Sequence, residues 1–210
     1  MAANPQRAAG VDKRRLILDA AIRVFARQGF HACRVSDIAD EAGVAYGLVY
    51  HYFGSKEEIL NTLFTERWQV MLDAIAEIDA KQEVPARDKL YMVASFIIDS
   101  YRVDPDLMKV IIVEVTRAAN TFGQTHLGEI RKAYNRIAEI VAAAQADGSF
   151  RDAVTPQFAA MAFYGAIEQV LTGWIFGLLD EGDEDYERAK RLIVETICDG
   201  LEAHPDRLRA

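Results

Sequence analysis

Two short helical patterns that meet at a glycine constrain this chain more than any other feature of its sequence. Residues 35–42 repeat apolar side chains at one-turn spacing, and residues 46–53 continue with a shorter apolar face. Gly43 stands between them, where a sharp turn needs a left-handed residue. A helix, a tight turn and a second helix form a helix-turn-helix, whose second helix can enter the major groove of DNA. Similar helix pairs also occur in ordinary helical domains.

The second helix carries the residue types that DNA recognition uses. Tyr46 can hydrogen-bond to a base or stack on it, and Leu48 can contact the methyl group of thymine. Gly47 between them lets the backbone come close to DNA. The tyrosine hydroxyls and His51 are suitable donors to phosphate oxygens. The predicted DNA-facing surface comprises Ala45, Tyr46, Gly47, Leu48, Tyr50, His51 and Tyr52.

Two cations flank this pattern. Lys56 lies in the first turn of the next helix, which Ser55 and Glu58 begin as a capping box. Both the ammonium group and the N-terminus of that helix attract phosphate. Arg34 directly precedes the first helix, within reach of a phosphate or a minor-groove edge. We therefore expect phosphate contacts on both sides of the helix-turn-helix.

Charge is distributed unevenly along the chain. Residues 1–56 hold eight Lys or Arg and five Asp or Glu, an excess of three positive charges. The whole chain has a net charge of −8, so residues 57–210 carry −11. A basic head can attract phosphates, while an acidic body discourages non-specific adhesion.

The segment 35–56 resembles the N-terminal domain of the TetR family of bacterial repressors. The resemblance rests on Gly43-Val44, Gly47, the run Tyr50-His51-Tyr52-Phe53 and Lys56, and on a preceding helix that ends in Gln28-Gly29-Phe30. It covers residues 11–71, with the motif at 34–53, and it implies that residues 46–52 are the recognition helix. It also implies contacts with DNA from Arg34, Ser36, Ala45, Tyr46, Gly47, Leu48, Tyr50, His51, Tyr52 and Lys56.

The chain departs from the family pattern at two places. Cys33-Arg34 stands where the family often has threonines. Ala45 stands where a serine or threonine usually caps the recognition helix. A missing N-cap side chain typically costs about 1 kcal/mol of helix stability.

Helical periodicity continues along the rest of the chain and predicts an all-α, nine-helix TetR-like fold. The predicted helices cover residues 12–28, 35–42, 46–53, 55–80, 86–101, 104–120, 125–146, 156–179 and 186–201. Residues 1–10 are small and polar, and we expect them to be a disordered basic arm. Residues 11–56 form the predicted DNA-binding domain of three helices. Residues 57–210 form the predicted ligand-binding and dimerisation domain.

The helix at 156–179 is apolar nearly all round, which predicts burial on more than one side. Together with the helix at 186–201 it can form a four-helix interface between two protomers. Small residues such as Gly165 allow the helices to approach closely. A palindromic DNA operator also requires a dimer. A monomeric core helix is the alternative.

An effector pocket is expected among the helices at 86–101, 104–120, 125–146 and 156–179. Its candidate lining residues, each of which also suits an ordinary core, are Phe96, Tyr101, Met108, Ile112, Val115, Phe122, Tyr134, Phe163, Tyr164 and Trp174. Val110–Arg117 with Asn120, and Tyr164–Trp174, are similar to the FadR-type branch, the fatty-acid-degradation repressors of Gram-positive bacteria. The resemblance implies release from DNA by a long-chain acyl-CoA. Candidate cations for the CoA phosphates are Arg102, Lys109, Arg117, Arg131 and Lys132.

Other functions find less support in the sequence. The alternative within the same class is a drug- or metabolite-responsive repressor of an efflux or catabolic gene. The four histidines lack metal-ligand spacing and no nucleotide-binding or nucleophile motif occurs, so no enzyme, metal site or cofactor is predicted. A helical binding protein without DNA affinity fits the basic head poorly. No apolar run of membrane-spanning length or secretory signal is evident, and a cytoplasmic location suits Cys33 and Cys198.

Overall fold

The computed structural model describes residues 5–116 and 121–201 of the 210-residue chain. Over these ranges the backbone forms nine α-helices, one π-helical segment and no β-strand, which confirms the predicted all-α fold. The helices are α1 (Pro5–Gln28), α2 (Val35–Ala42), α3 (Tyr46–Tyr52), α4 (Lys56–Asp79), α5 (Ala86–Val103), α6 (Pro105–Val110), α7 (Thr121–Ala146), α8 (Pro156–Ile175) and α9 (Asp183–Leu201). The π-helical segment (Ile111–Thr116) directly follows α6.

The chain divides into two compact units. The first takes in Met1–Arg67 and Asp104–Gly123, and the second takes in Trp68–Val103 and Gln124–Ala210. Helix α4 contributes its first half to one unit and its second half to the other. The proposed functional domains at 11–56 and 57–210 stay a prediction, because compactness by itself assigns no role.

The first unit is organised around α1, which packs against both α2 and α6. Ile17, Val24 and Phe25 on the inner face of α1 are buried, and so are Ile38 and Ala39 of α2. These positions follow the one-turn spacing seen in the sequence, because residues three and four apart share a helix face. The apolar face predicted for residues 35–42 is therefore confirmed.

Helices α1 and α7 start earlier than predicted. Helix α1 begins at Pro5, so residues 5–10 are helical rather than disordered. Residues 6–9 (Gln-Arg-Ala-Ala) favour helix, and proline is well tolerated in a first turn. Residues 1–4 of the predicted arm lie outside the described residues. Helix α7 begins at Thr121 rather than 125 and runs through Gly123, because an isolated glycine weakens a helix without ending it.

The predicted helix at 104–120 is divided. Asp104 caps α6 by accepting a hydrogen bond from the Leu107 N–H at 3.0 Å, and Pro105 occupies its first position. The backbone then changes to π-helical pairing over Ile111–Thr116. Five of those six residues are β-branched, and such side chains disfavour regular α-helix because they crowd the preceding turn. Residues 117–120 lie outside the described part of the chain.

Helix α8 ends at Ile175, four residues before the predicted end. Gly177 adopts a left-handed conformation with φ of 63°, and its N–H donates to the Trp174 carbonyl at 2.9 Å. The Leu178 N–H donates to the Gly173 carbonyl at 2.7 Å. This pair of bonds is a Schellman motif, which terminates a helix. The helix was predicted to continue to 179 because Phe176, Leu178 and Leu179 are apolar.

The second unit is held together by α5, α8 and α9, which pack against one another. Lys190 of α9 is buried and donates to Asp99 of α5 and to Glu187, both at 2.6 Å. Burial opposes its charge, but the two carboxylates outweigh burial and raise the pKa of Lys190. The charged group therefore ties α5 to α9. Helix α9 begins at Asp183 rather than 186, with three acidic residues in its first turn, where the helix dipole favours them.

Candidate DNA interface

The turn between α2 and α3 has the expected geometry. Gly43 lies in the left-handed region with φ of 64° and ψ of 35°. Its N–H donates to the Asp40 carbonyl at 3.1 Å, and the Val44 N–H donates to the Ala39 carbonyl at 3.0 Å. A residue with a Cβ is strained in this conformation, so glycine fits here for a backbone reason. The helix-turn-helix predicted at residues 35–53 is present.

Helix α1 is joined to α2 by an ion-pair cluster. Glu41 accepts hydrogen bonds from Arg23 at 2.7 Å and from Arg27 at 3.2 Å. The hydrogen bond from Arg23, which is the larger cause, and the hydrogen bond from Arg27 lower the pKa of Glu41. One carboxylate balances one of the two guanidinium charges, so the cluster keeps a net charge of +1. The excess of three positive charges in residues 1–56 already includes Glu41.

The start of α2 is fixed from both sides. The backbone N–H of Arg34 donates to Asp37 Oδ2 at 2.8 Å, and Gln28 Nε2 donates to the same oxygen at 3.0 Å. The bond from Arg34, which is the larger cause, and the bond from Gln28 lower the pKa of Asp37. Arg34 itself is exposed, and Ser36 in the first turn is partly exposed. Both residues keep the accessibility that their predicted DNA contacts need.

Helix α3 begins without a side-chain cap at Ala45, as its sequence indicates. Val49 is fully buried and holds α3 against the rest of the first unit. Tyr46 is 52% exposed. The Tyr46 and Tyr50 hydroxyls share a hydrogen bond at 3.1 Å, and the two rings meet edge to face at 5.0 Å. This hydrogen bond, followed by burial, raises the pKa of Tyr50. A Cβ added at Gly47 would have no atom within 4 Å.

Five of the ten predicted DNA-contact residues line a single groove. The groove has a volume of about 420 Å³ and lies where the first turns of α2 and α4 meet α3. Its lining comprises Cys33, Arg34, Val35, Ser36, Tyr46, Tyr50, Gly54, Ser55, Lys56 and Glu57. Outside it, Ala45, Gly47 and His51 are exposed, and Leu48 and Tyr52 are partly exposed. The first turns of two helices offer backbone N–H groups there, which suits an anion.

Lys56 is engaged by the protein itself. Its ammonium group donates to the carbonyl oxygens of Phe30 at 2.8 Å, Cys33 at 3.0 Å and His31 at 3.3 Å. It also lies 4.6 Å from the centre of the Phe30 ring. An ammonium has three donors, so three carbonyls account for all of them. Phosphate contact by Lys56 stays a prediction, and it would require one of these bonds to break.

Two predicted effector residues belong to a closed aromatic cluster in the second unit. Tyr101 stacks on Trp174 at 5.7 Å, and Tyr186 meets Trp174 edge to face at 4.9 Å. Tyr186 donates to Glu181 at 2.6 Å, and the Trp174 indole donates to the Asp180 carbonyl at 3.0 Å. Burial, followed by the nearby Glu181 charge, raises the pKa of Tyr101 to about 12. This packing suits a core role for Tyr101 and Trp174.

A second aromatic cluster joins two predicted effector residues, Tyr134 and Tyr164, to Trp68, which was not predicted. The Tyr134 and Tyr164 rings meet edge to face at 5.3 Å, and Trp68 lies 6.4 Å from Tyr164. The Trp68 indole donates to the Glu129 carbonyl at 2.8 Å. In the same unit His126 is buried, and burial lowers its pKa although Glu129 opposes this. Trp68 was indistinguishable from the rest of an apolar stripe, and His126 stood alone in the sequence.

The remaining effector candidates are dispersed. Phe163 is buried in the second unit, and Phe96 there is partly exposed. Met108 and Ile112 are buried in the first unit. The side chains of Val115 and Phe122 lie outside what the structure describes. The ten predicted effector residues therefore stay a prediction.

Helices α8 and α9 leave apolar side chains in solvent. Phe158 is 64% exposed, Met161 58% and Leu192 52%. A Cβ at Gly165 would have no atom within 4 Å. A groove of about 310 Å³ beside them is lined by Val170, Trp174, Leu179, Asp180, Asp185, Arg188, Ala189, Leu192 and Ile193. One face of α8 is thus open within a single chain, and a surface of this kind is typical of an interface.

Comparison with known proteins identifies the family. Residues 17–63 match the family described as bacterial regulatory proteins, tetR family, and residues 64–190 match the C-terminal region of YsiA-like protein. The fatty acid metabolism regulator protein of Bacillus subtilis (strain 168) is 30% identical over 186 residues, or 88% of this chain and 93% of that protein. The chain is a TetR-family transcriptional regulator.

Solved structures of the same fold support this placement. FadR from Bacillus subtilis, in complex with stearoyl-CoA, is 28% identical with a TM-score of 0.78, covering 90% of this chain and 98% of that one. The fatty acid degradation regulator FadR from Bacillus halodurans has a TM-score of 0.80 at 24% identity, covering 91% and 97%. The predicted nine-helix TetR-like fold and the resemblance to FadR-type regulators are confirmed.

The family also settles the broad class of activity. TetR-family proteins of this kind are transcriptional regulators rather than enzymes, as the sequence predicted. Within residues 5–116 and 121–201, no group of His, Cys, Asp or Glu side chains is arranged to hold a metal ion. No helix in the described part of this regulator is long and apolar enough to cross a membrane.

Proposed function

We propose that this regulator is a homodimeric repressor that binds a palindromic operator and leaves it when a hydrophobic effector binds. The observation that supports the DNA-binding role is the exposed first turn of α3. The Tyr46 side chain is exposed there and the backbone of Gly47 is open to solvent, while buried Val49 anchors the helix. Base edges in the major groove are read from such a position. The proposed contacts come from Arg34, Ser36, Ala45, Tyr46, Gly47, Leu48, Tyr50, His51 and Tyr52. The protein acts on DNA in the cytoplasm.

Replacing Tyr46 tests this assignment. Tyr46→Ala removes both the ring and the hydroxyl, and it should abolish sequence-specific binding while the helical circular dichroism spectrum stays unchanged. Tyr46→Phe is the matched control, because it retains the ring and loses only the hydroxyl. Binding is measured by gel shift on duplexes that the wild-type protein selects from a random-sequence pool. Unchanged affinity of Tyr46→Ala for the selected duplexes would refute the recognition role of α3.

The proposed dimer forms through α8 and α9. The exposed Phe158, Met161 and Leu192 supply the apolar surface, and Gly165 permits close helix approach. Phe158→Glu should convert the dimer to a monomer, as measured by light scattering during size-exclusion chromatography. Val103→Glu is the control, because Val103 is 85% exposed but lies at the end of α5. Equal masses for wild type and Phe158→Glu would contradict this interface.

The proposed effector is a long-chain acyl-CoA in the control of fatty acid metabolism. The support is the 30% identity over 88% of the chain to a fatty acid metabolism regulator, together with a related structure that holds stearoyl-CoA. Of the candidate cations for the CoA phosphates, Arg102 is paired with Asp183 at 2.6 Å and Lys132 with Glu129 at 2.8 Å.

Native mass spectrometry of the purified regulator tests the effector. A retained acyl-CoA, and release of the selected duplex by added stearoyl-CoA, are the expected results. Coenzyme A without an acyl chain is the control and should release far less DNA, because it lacks the apolar tail whose burial favours binding. Release by apolar drugs with no response to stearoyl-CoA would favour the drug- or metabolite-responsive alternative.

A further inference from the structure

Lys56 belongs to the DNA interface by position, yet its ammonium group faces the protein. Its three donors meet three carbonyl oxygens of a single short loop between α1 and α2, at 2.8, 3.0 and 3.3 Å. We propose that Lys56 is a positioning residue, which fixes this loop and through it the DNA-facing groove, rather than a phosphate contact. The proposal rests on the DNA-binding function proposed above.

The chemistry of the loop favours an ammonium over other groups. The carbonyls of Phe30, His31 and Cys33 lie outside regular helix, where their oxygens need donors from a side chain or water. A lysine supplies three donors from one compact centre, and the Phe30 ring at 4.6 Å adds a cation–π contact. An arginine presents its donors in a flat fork, which cannot converge on three oxygens in the same way.

The loop leads directly into the groove. Cys33 is only 2% exposed, and its thiol donates to the Arg34 carbonyl at 3.3 Å. Arg34 is the N-cap of α2, and its N–H is held by Asp37. Anchoring the Cys33 carbonyl therefore fixes where α2 begins. Without Lys56, the first turn of α2 keeps its cap but loses its anchor to the first turn of α4.

Salt dependence separates the two roles of Lys56. Each phosphate contact that is lost reduces the slope of log affinity against log salt by about 0.9, whereas a positioning defect lowers affinity and leaves the slope unchanged. Duplexes selected from a random pool by the full-length wild-type protein are the probe. Arg34→Met is the control for a lost phosphate contact, because Arg34 is exposed on the same groove.

We expect Lys56→Met to weaken binding by about tenfold with an unchanged salt slope. Arg34→Met should reduce the slope by about 1.8, because the proposed homodimer loses one phosphate contact from each protomer. Lys56→Arg should remain as weak as Lys56→Met, because a retained charge does not restore the carbonyl contacts. A slope reduced by about 1.8 in Lys56→Met, with recovery in Lys56→Arg, would overturn the proposal in favour of a phosphate contact from each protomer.

A measurement without DNA tests the loop directly. Lys56→Met and Lys56→Arg should both raise the rate at which a thiol reagent labels Cys33, as located by peptide mapping, while fully buried Cys198 serves as the internal control. Circular dichroism confirms that each variant is folded. Unchanged Cys33 labelling in a folded variant contradicts the positioning role. If the wild-type protein selects no duplex, the DNA-binding function fails, and labelling still decides the structural part.

Discussion

Helices α3 and α8 both expose large side chains, and both contain a glycine whose Cβ would meet open space. Their exposed surfaces nevertheless differ in chemistry. The exposed tyrosines of α3 have hydroxyl groups at their tips, whereas Phe158 and Met161 on α8 offer only carbon and sulfur. Hydroxyl groups suit a polar, hydrated partner such as DNA, and an apolar face suits a second copy of the same helix. Although α3 and α8 both expose large side chains, α3 is therefore expected to bind DNA and α8 a second copy of the chain.

The largest effect is expected at the glycine of α8. Gly165→Leu fills open space in the single chain, so the fold should survive, but the side chain would block close approach of a partner helix. Binding by two linked heads exceeds binding by one head by about a hundredfold or more, and the variant should lose this factor. Light scattering and gel shift measure the two effects. If Gly165→Leu remains a dimer and binds DNA with wild-type affinity, the protomers must meet at a surface other than α8.

Gly47→Ala should separate stability from DNA affinity at α3. Alanine is the better helix former, so the free energy of unfolding should rise by about 0.5 kcal/mol in urea denaturation. The added methyl group projects into open space at the proposed DNA surface and should weaken operator binding by about tenfold. Gly165→Ala provides the matched change on α8. Tighter DNA binding by Gly47→Ala would show that the backbone at this position does not approach DNA.

Ala45→Ser should strengthen the start of α3. A serine at this N-cap can accept from the first-turn N–H groups and stabilise the first unit by about 1 kcal/mol. Ala45→Val lacks an acceptor and serves as the control, with no gain expected in urea denaturation. Equal stabilities for the serine and valine variants would mean that these N–H groups are already satisfied.

The smallest effect concerns pH and the α1–α2 ion-pair cluster. The pKa of Glu41 in the folded chain lies below its ordinary value of 4.5, so its contribution to stability is present above that value. It is lost as the pH falls through the lower, folded-state pKa. Glu41→Gln should therefore be less stable than wild type at neutral pH, with a gap that narrows below pH 4.5. If the difference in stability between wild type and Glu41→Gln does not change with pH, the charge of Glu41 is not its cause.

Local patterns made the helix-turn-helix predictable. Gly43, the Ser55 N-cap and the spacing of Ile38 and Val49 each act within a few residues, and the structure has each feature at its expected place. The predicted capping box is only half formed, because the Glu58 carboxylate accepts from the Gly54 N–H rather than from that of Ser55. The engagement of Lys56 was not predictable, because its partners lie 23 to 26 residues away in sequence. Contacts of that range depend on how helices pack, which periodicity does not specify.

The second unit shows the same limit more strongly. Apolar spacing located α8, but its end depends on Gly177, which sits inside an apolar run that looks helical. Tyr101 and Trp174 were equally plausible as effector contacts and as core, and only their stacking at 5.7 Å favours the core. Aromatic composition does not distinguish these roles, because both require burial.

The hydrogen bond between the two exposed tyrosines of α3 bears on base preference. Each hydroxyl has one hydrogen, and the bond between Tyr46 and Tyr50 uses one of the two. The pair then presents one outward hydrogen and free lone pairs. Adenine offers a matching acceptor and donor side by side, at N7 and N6, in the major groove. Two phenols joined in this way resemble a single amide side chain, the group that proteins commonly use to read adenine.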